Sequence, residues 1–439
     1  MDLKSYSTFR VAASDLNGQM RGKRVPASYA RKLDTGVVRM PLSVLNVDLW
    51  GADIEDSPLV FATGDADGIL RPTDRGAVPM PWLSNPSALV PMAMETAPGV
   101  PFEGDPRNAL ARIVAKYTAR GWSVMAATEM EFTLIDDSGD RPQAPSSPVS
   151  GRPLTSSAIL SVAQLDAFDD FFTDLYNACD AMEIPAQTSI SESGMGQFEV
   201  TLNHQNAMHA ADDAWLFKTL VRGMARKHGY SATFMAKPYP EDAGNGMHVH
   251  FSVVDGDGQN VFSNGGPEGS QILRHAVAGC LAAMPASTLI FAPHSNSYDR
   301  LVPGAHAPTA AAWAYENRTA AIRIPSGSAS ARRIEHRVAG GDINPYLMLA
   351  VVLGAAMQGI EAELTPPDPV TGNAYDVPGL PQLASDWESA VSLFETDPII
   401  AGIFHPQLIE NLVMTKRQEI KRMAELPSEE HWLATLERV

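Results

Sequence analysis

Glu129-Met130-Glu131-Phe132-Thr133-Leu134 is the stretch from which the fold is read. Met130, Phe132 and Leu134 alternate with Glu129, Glu131 and Thr133. Successive side chains of a strand point to opposite faces, so this segment buries one face and presents two carboxylates on the other. Three further segments follow the same rule. Phe198 and Val200 alternate with Gln197 and Glu199; Met247, Val249 and Phe251 alternate with His248, His250 and Ser252; Ile334 and Val338 alternate with Arg333, Glu335 and Arg337. Any one of them, taken singly, is more often just an ordinary half-solvated strand. As a set they differ from solvated strands, whose outer faces usually carry Lys, Thr and Ser. These faces carry mostly Glu, His and Arg. Glu129 and Glu131 also repel one another, and a cation between or beside them would relieve that.

Four such strands around one cavity suit two hard divalent cations. Mg2+ and Mn2+ take oxygen ligands and accept an occasional imidazole. No zinc pattern competes, because the two cysteines, Cys179 and Cys280, lie far apart and no His-Glu-x-x-His occurs. A second cluster is cationic: Arg300, Arg318, Arg323, Arg332, Arg333 and Arg337. Guanidinium groups suit phosphate and carboxylate, although structural salt bridges would account for part of this set. Carboxylates for metals beside arginines for oxyanions is a phosphoryl-transfer arrangement. No Walker-type glycine loop is present, so a nucleotide would be held through metal and arginines.

The wider chain fits a large enzyme. It has 439 residues, 45% hydrophobic and 19% charged, enough for a large core and more than one domain. The net charge of −18 argues against nucleic acid or an anionic membrane as partner. The opening Met1-Asp2-Leu3-Lys4-Ser5 lacks the apolar run of a secretory signal, and the apolar stretch Leu347 to Met357 is too short to span a bilayer, so a cytoplasmic protein is expected. Residues up to about 100 read as short strands joined by turns, beginning with the turn signal Asp15-Leu16-Asn17-Gly18. A helical pattern follows over 105–120, and further helices are expected at 163–183, 208–228, 268–285 and 344–364. The domain boundary is therefore set near residue 100, with 1–100 and 101–439 as the two units. Strands and helices mix without a βαβ rhythm, so the expected class is α+β with a mainly antiparallel sheet.

The ordered motifs resemble those of the glutamine synthetase superfamily over nearly the whole chain. They are Glu129-Met-Glu131-Phe, Glu192-Ser-Gly-Met-Gly-Gln-Phe-Glu199, the Ala-Thr-Phe-Met-Ala-Lys-Pro run at 232–238, and Gly244-Asn-Gly-Met-His248-Val-His250-Phe-Ser252. Next come Asn296-Ser-Tyr-Asp-Arg300-Leu-Val-Pro-Gly, Asn317-Arg318-Thr-Ala-Ala-Ile-Arg323-Ile-Pro and Ala331-Arg-Arg333-Ile-Glu335-His-Arg337. The resemblance implies an N-terminal β-grasp domain and a catalytic domain with a curved antiparallel sheet. It implies hexameric rings, usually stacked as a homo-dodecamer, with active sites between neighbouring subunits. It also implies two or more Mg2+ or Mn2+ ions, with ATP as co-substrate. Glu131, Glu192 and Glu199 would hold one metal, and Glu129, His248 and Glu335 the other. His250, Ser252 and Arg333 would sit at ATP, Arg318 and Arg323 at the transferring phosphoryl group, and Arg300, Arg337 and Gly244 at glutamate.

Three departures concern the amine and the acid. In ammonia-using members a flap glutamate takes a proton from ammonium; at that place this chain has His306. Those members also carry an Asp-Gly-Ser-Ser segment whose Asp helps hold ammonium. Here the corresponding stretch is Arg39-Met40-Pro41-Leu42-Ser43-Val44, with Asp48 the nearest substitute. The Asn before the glutamate-binding glycine is Ala243. A neutral imidazole accepts a proton but does not trap a small cation as a carboxylate does. His306 would thus serve as base or merely shape its loop. The segment Asp15 to Arg24 is also similar to the γ-glutamylpolyamine branch, so an organic amine is expected in place of ammonia. The alternatives are an ammonia-using glutamine synthetase and a catalytically silent structural relative. Tyr375 lies near where some members carry a regulatory tyrosine.

Overall fold

The computed structural model describes residues 5–139, 141–436 and 438–439. Met1 to Lys4, read above for the lack of an apolar leader, lie outside the described residues. The class is α+β, built on two sheets. The first contains β1 (Thr8–Ser14), β2 (Met20–Pro26), β3 (Arg39–Pro41), β4 (Asp67–Pro72), β5 (Val78–Pro79), β6 (Ser87–Ala97) and β7 (Val100–Pro101). Its order is β2-β1-β6-β4-β3, with β5 and β7 also paired to β6. The β1–β6 pair is parallel and the others are antiparallel, giving the β-grasp form. Phe9, Val11, Leu70, Val90, Met92 and Phe102 form its buried core.

The second sheet contains β8 (Ser123–Ile135), β9 (Ala186–Ser191), β10 (Gln197–Asn206), β11 (Ser231–Thr233), β12 (Met247–Val254), β13 (Trp313–Tyr315), β14 (Ile322–Ile324) and β15 (Ile334–His336). Its order is β13-β14-β15-β12-β8-β10-β9, with β11 on β8. It is antiparallel except for the short β13–β14 pair. The alternation read from the sequence is obeyed along β8: Met130, Phe132 and Leu134 are fully buried, and Phe132 packs among Phe171, Phe198, Phe217 and Phe234.

The helices expected up to residue 364 sit close to where periodicity puts them, whereas Trp387–Thr396 and Pro406–Glu425 were not anticipated; local chemistry sets the ends. Asn344 caps the helix Pro345–Glu361 by accepting from the N–H groups of Tyr346 (3.0 Å) and Leu347 (3.4 Å). That helix holds the apolar stretch weighed above as a membrane span; it is buried nearly end to end as the central core helix. No helix among the described residues is long and apolar enough to cross a membrane. It crosses the helix Gln271–Ala283 at paired glycines. A Cβ on Gly279 would lie 2.1 Å from the Ala355 carbonyl, and one on Gly359 would lie 2.2 Å from the His275 carbonyl. The helix expected at 163–183 is interrupted. Val162–Ala167 and Asp169–Ala181 are separated at Phe168, which leaves helical geometry (φ −109°, ψ 27°) as its ring packs against Phe198 and Tyr230. The pattern at 268–285 starts late because Gly269 has a left-handed φ of +77°, leaving Ser270 to cap.

A buried polar knot ties the first sheet's turns to the helix Pro406–Glu425. Glu419, fully buried, accepts from Asn17 Nδ2 (2.7 Å), the Leu49 N–H (2.8 Å) and Lys416 Nζ (2.8 Å). Nearby, Asn344 Nδ2 donates to the Asp15 carbonyl at 2.8 Å. Removing one partner of a buried ion pair strands the other charge. Glu419→Ala is therefore expected to destabilise the protein by about 3–5 kcal/mol. Lys416→Met with Glu419→Leu should recover most of that loss, as read by chemical denaturation. Equal losses in both variants would show that the pair is not the source of the coupling.

Candidate active site

Strand register brings the charged faces together. Across the sheet, Glu131 on β8 stands opposite Glu199 on β10, and Glu129 stands opposite Thr201 on β10 and His248 on β12. One row further, His250 stands opposite Ala127 on β8 and Glu335 on β15, and Glu335 stands opposite Arg323 on β14. Side chains paired this way share a face.

Glu129 is the junction. Its Oε2 is 2.8 Å from His248 Nδ1 and its Oε1 is 2.9 Å from His250 Nε2. Two groups of metal-capable atoms meet there. Glu129, Glu199 and His248 form one, and Glu129, His250 and Glu335 the other, each with ligand atoms within 4.8 Å of one another. This grouping differs in detail from the one implied by resemblance. His250 joins Glu129 and Glu335, and Glu199 joins Glu129 and His248. Glu131 is turned aside because its Oε2 accepts from the Gly246 N–H at 2.6 Å and from Gln197 Nε2 at 3.2 Å. Carboxylate and imidazole donors so packed fit hard divalent cations.

The protonation of the acids reports the crowding. Burial, then the charges of Glu129, Glu131 and Glu192, push Glu199 up to about 9. Burial and Glu131 push Glu192 up to about 7, against a small opposing pull from Arg318. Glu129 goes the other way: burial raises it, but hydrogen bonds and charge from His248 and His250 outweigh burial and hold it well below the usual range. Glu335, fully buried, is likewise held down against burial, chiefly by Arg337.

The arginines divide into two kinds. Arg323 donates to Glu335 (2.8 Å) and Glu316 (3.2 Å), and Arg337 pairs with Glu335. Arg300, 4% exposed, donates to the Val338 carbonyl at 2.8 Å, and a Cβ on Gly246 would touch its Nη2 at 2.7 Å. Gly244 is required by packing: a Cβ there would lie 2.2 Å from the Ala236 carbonyl and against Arg300. Arg318 is exposed. Arg332 is structural, buried and donating to the Pro325 and Gly266 carbonyls. Arg333 Nε donates to His250 Nδ1 at 3.1 Å. His250, Ser252 and Arg333 line one cavity of about 540 Å3 together with Gln187, Asn203 and His204.

The positions expected from the sequence to bear on the amine are also defined. His306 lies exposed on the loop after Arg300 with a left-handed φ of +55°, and it forms no hydrogen bond or ion pair among the described residues. Asp48 is fully buried, accepts from the Trp50 and Ala52 N–H groups (3.0 and 2.9 Å) and from Gln418 Nε2 (3.0 Å), and pairs with Arg422. Its carboxylate is therefore fully engaged within the chain and does not replace the missing Asp. Asn245 does not replace the amide lost at Ala243 either, since its Nδ2 donates to the Met235 carbonyl at 2.9 Å. Sequence reasoning undervalued Gln197. Its Nε2 reaches Glu131, the Gly244 carbonyl (2.9 Å) and Asn245 Oδ1 (3.2 Å), which fixes three elements of the site at once. The signal was present, because Gln197 shares a strand face with Glu199.

Glu192 and Glu199 retain protons in the folded protein that the unfolded chain releases near the ordinary value of 4.5. Folding without a cation thus takes up protons, and stability falls as pH rises from there through about 7 and about 9. Calorimetry of chelated protein should show Tm falling over this span. Mg2+ should flatten the slope, so that the gap between loaded and chelated protein widens with pH. A gap independent of pH would contradict the assignment of these acids to one unneutralised cluster.

Residues 103–434 match the family model "Glutamine synthetase, catalytic domain". The chain is 40% identical to a gamma-glutamylputrescine synthetase of Escherichia coli over 84% of its own length and 79% of the relative's. It is 32% identical to a glutamate–isopropylamine ligase of a Pseudomonas species over 95% of its length and 92% of the relative's. Among solved structures, an ADP complex of GmaS superimposes with a TM-score of 0.84 at 26% identity, covering 97% of this chain and 96% of that one. The ordered motifs, the two-sheet fold and these matches agree: the chain belongs to the glutamine synthetase family.

Proposed function

We propose that this protein joins the γ-carboxylate of glutamate to an organic amine, a polyamine such as putrescine or a small monoamine, using ATP and passing through γ-glutamyl phosphate. The observation that carries the reading is the junction at Glu129, where one carboxylate belongs to two groups of ligand atoms beside a row of arginines. Two relatives named as a putrescine and an isopropylamine ligase support the amine.

Divalent ions held by Glu129, Glu199 and His248 and by Glu129, His250 and Glu335, with Glu131 and Glu192 alongside, would supply charge neutralisation of the ATP phosphates. His250, Ser252 and Arg333 line the cavity assigned to the nucleotide. Arg300 and Arg337, with the backbone at Gly244, hold the acid. Its γ-carboxylate oxygen attacks the γ-phosphorus and ADP leaves, while Arg318 and Arg323 take up charge on the transferring group. The amine nitrogen then attacks the acyl carbon, phosphate leaves, and His306 accepts the amine proton. Asp48 being engaged elsewhere, and a histidine standing on the flap, both favour an amine over ammonium.

The proposed assembly is a homo-dodecamer of two hexameric rings, in which residues 1–100 form the β-grasp domain and complete the site of the adjacent subunit, with 101–439 as the catalytic domain. ATP dependence suits a cytoplasmic enzyme. Sedimentation should find the large ring assembly; full activity in a monomer would refute the shared site.

The decisive experiment is phosphate release from ATP with glutamate and a panel of polyamines, monoamines, amino alcohols and ammonia. An organic amine should give the highest kcat/KM. If ammonia leads the panel, the protein is an ordinary glutamine synthetase, and no turnover with any pair would indicate a silent structural relative. Glu129→Ala should lower turnover by at least roughly 10²-fold while leaving the assembly intact. His306→Glu should raise kcat/KM for ammonia relative to amines; no change would remove His306 from amine choice.

A further inference from the structure

Gln197 is 2% exposed, and both ends of its amide are in use. Its Oε1 accepts from the Gly194 N–H at 2.8 Å, in the turn that follows Glu192. A Cβ on Gly194 would lie 2.6 Å from that oxygen, so this approach needs glycine. The backbone repeats the link. The Gln197 N–H donates to the Gly194 carbonyl and the Glu192 N–H donates to the Gln197 carbonyl, both at 3.0 Å. On the other side, Nε2 faces three acceptors: Glu131 Oε2 at 3.2 Å, the Gly244 carbonyl at 2.9 Å and Asn245 Oδ1 at 3.2 Å. An amide serves both sides at once, whereas a flipped amide or a carboxylate would set oxygen against three acceptors.

The consequence lies in Glu131. Both of its donors, the Gly246 N–H at 2.6 Å and Gln197 Nε2, fall on Oε2, and no donor among the described residues reaches Oε1. The carboxylate is thus held by one oxygen and offers the other. A Cβ on Gly246 would lie 3.3 Å from Glu131 Oε1 and 2.7 Å from Arg300 Nη2. The offered oxygen and the buried guanidinium therefore border the same bare α-carbon. One buried amide fixes a carboxylate of the cation cluster, the turn of Glu192 and the Gly244 backbone that packs on Arg300.

We propose that Gln197 is a positioning residue for the cation site and the acid site together: its side-chain amide holds Glu131 by one oxygen and the Gly244 backbone in a single frame, so that losing the amide loosens both. This rests on the ligase reading above. Gln197 touches no reacting atom, and its effect is carried by the groups it orients.

Gln197→Met keeps the length of the side chain and removes both ends of the amide. Thr133→Val is the control. Thr133 Oγ1 donates to Asn245 Oδ1 at 3.1 Å in the same buried network but bonds neither Glu131 nor Gly244. Mn2+ binding to protein free of nucleotide and acid is followed by electron paramagnetic resonance. In Gln197→Met one class of ion should bind roughly 10- to 100-fold more weakly, the usual effect of losing a group that orients a ligand. The ion at His250 and Glu335, which Gln197 does not reach, should keep its affinity within about twofold. Glutamate binding with Mg2+ and ADP, read by titration calorimetry, should weaken at least roughly tenfold. Thr133→Val should lower Tm and leave both affinities within about twofold of wild type.

Unchanged Mn2+ affinity or unchanged glutamate affinity in folded Gln197→Met overturns the proposal, because one amide is held to serve both sites. Equal losses in Thr133→Val also overturn it, since the stability of the network would then be the cause. If Gln197→Met does not fold, Gln197→Asn, which keeps an amide and withdraws it by one methylene, carries the same expectations. Both affinities are read without turnover. A wild type that binds Mn2+ and glutamate but joins glutamate to no amine therefore overturns the ligase reading alone, and a wild type that binds neither overturns both.

Discussion

The pairing register of β8 with β10 and β12 is the constraint on which the site depends. It sets Glu131 against Glu199 and Glu129 against His248. A slip of one residue would turn these groups into a core lined by Phe132, Phe198 and Phe251 and expose those rings instead. The apolar faces therefore enforce the register, and the register enforces the ligand geometry. Gln197 adds a local lock, because its amide joins β10 to Glu131 on β8 and to the Gly244–Asn245 segment leading into β12.

So many acids on one face work against folding unless countered. The protein counters them unevenly. Glu335 is matched by Arg323 and Arg337, and Glu129 by two imidazoles. Glu192 and Glu199 are left to burial and mutual repulsion. That unevenness has chemical meaning, since the unmatched charge is what attracts a cation, and the matched part keeps its shape without one. The arginines that hold Glu335 also retain unmatched Nε atoms, on Arg323 and Arg337, so they have capacity left for an oxyanion.

The rest of the chain supports this face from a distance. The helix Pro345–Glu361 fills the core, and its cap residue Asn344 also binds the turn at Asp15. The turn's Asn17 reaches Glu419 on the helix Pro406–Glu425. Asp48 is spent on the same helix through Arg422 and Gln418. Residues whose sequence neighbourhood hinted at the amine site thus turn out to join the two sheets' surroundings, while His306 lies exposed on its loop.

By itself, the sequence determined the strand faces, the longer helices before residue 364 and the identity of the acids and histidines, because period-two alternation and capping residues are local properties; it did not mark the helices Trp387–Thr396 and Pro406–Glu425. The ordered motifs determined the family for the same reason, being contiguous runs. What required tertiary structure was every statement about partners. Which acids could share a cation depends on register between strands more than 200 residues apart, as for Glu129 and Glu335. Whether Asp48 is available depends on Arg422, 374 residues away in the chain. The break at Phe168 was decided by rings from Phe198 and Tyr230 competing with helical propensity.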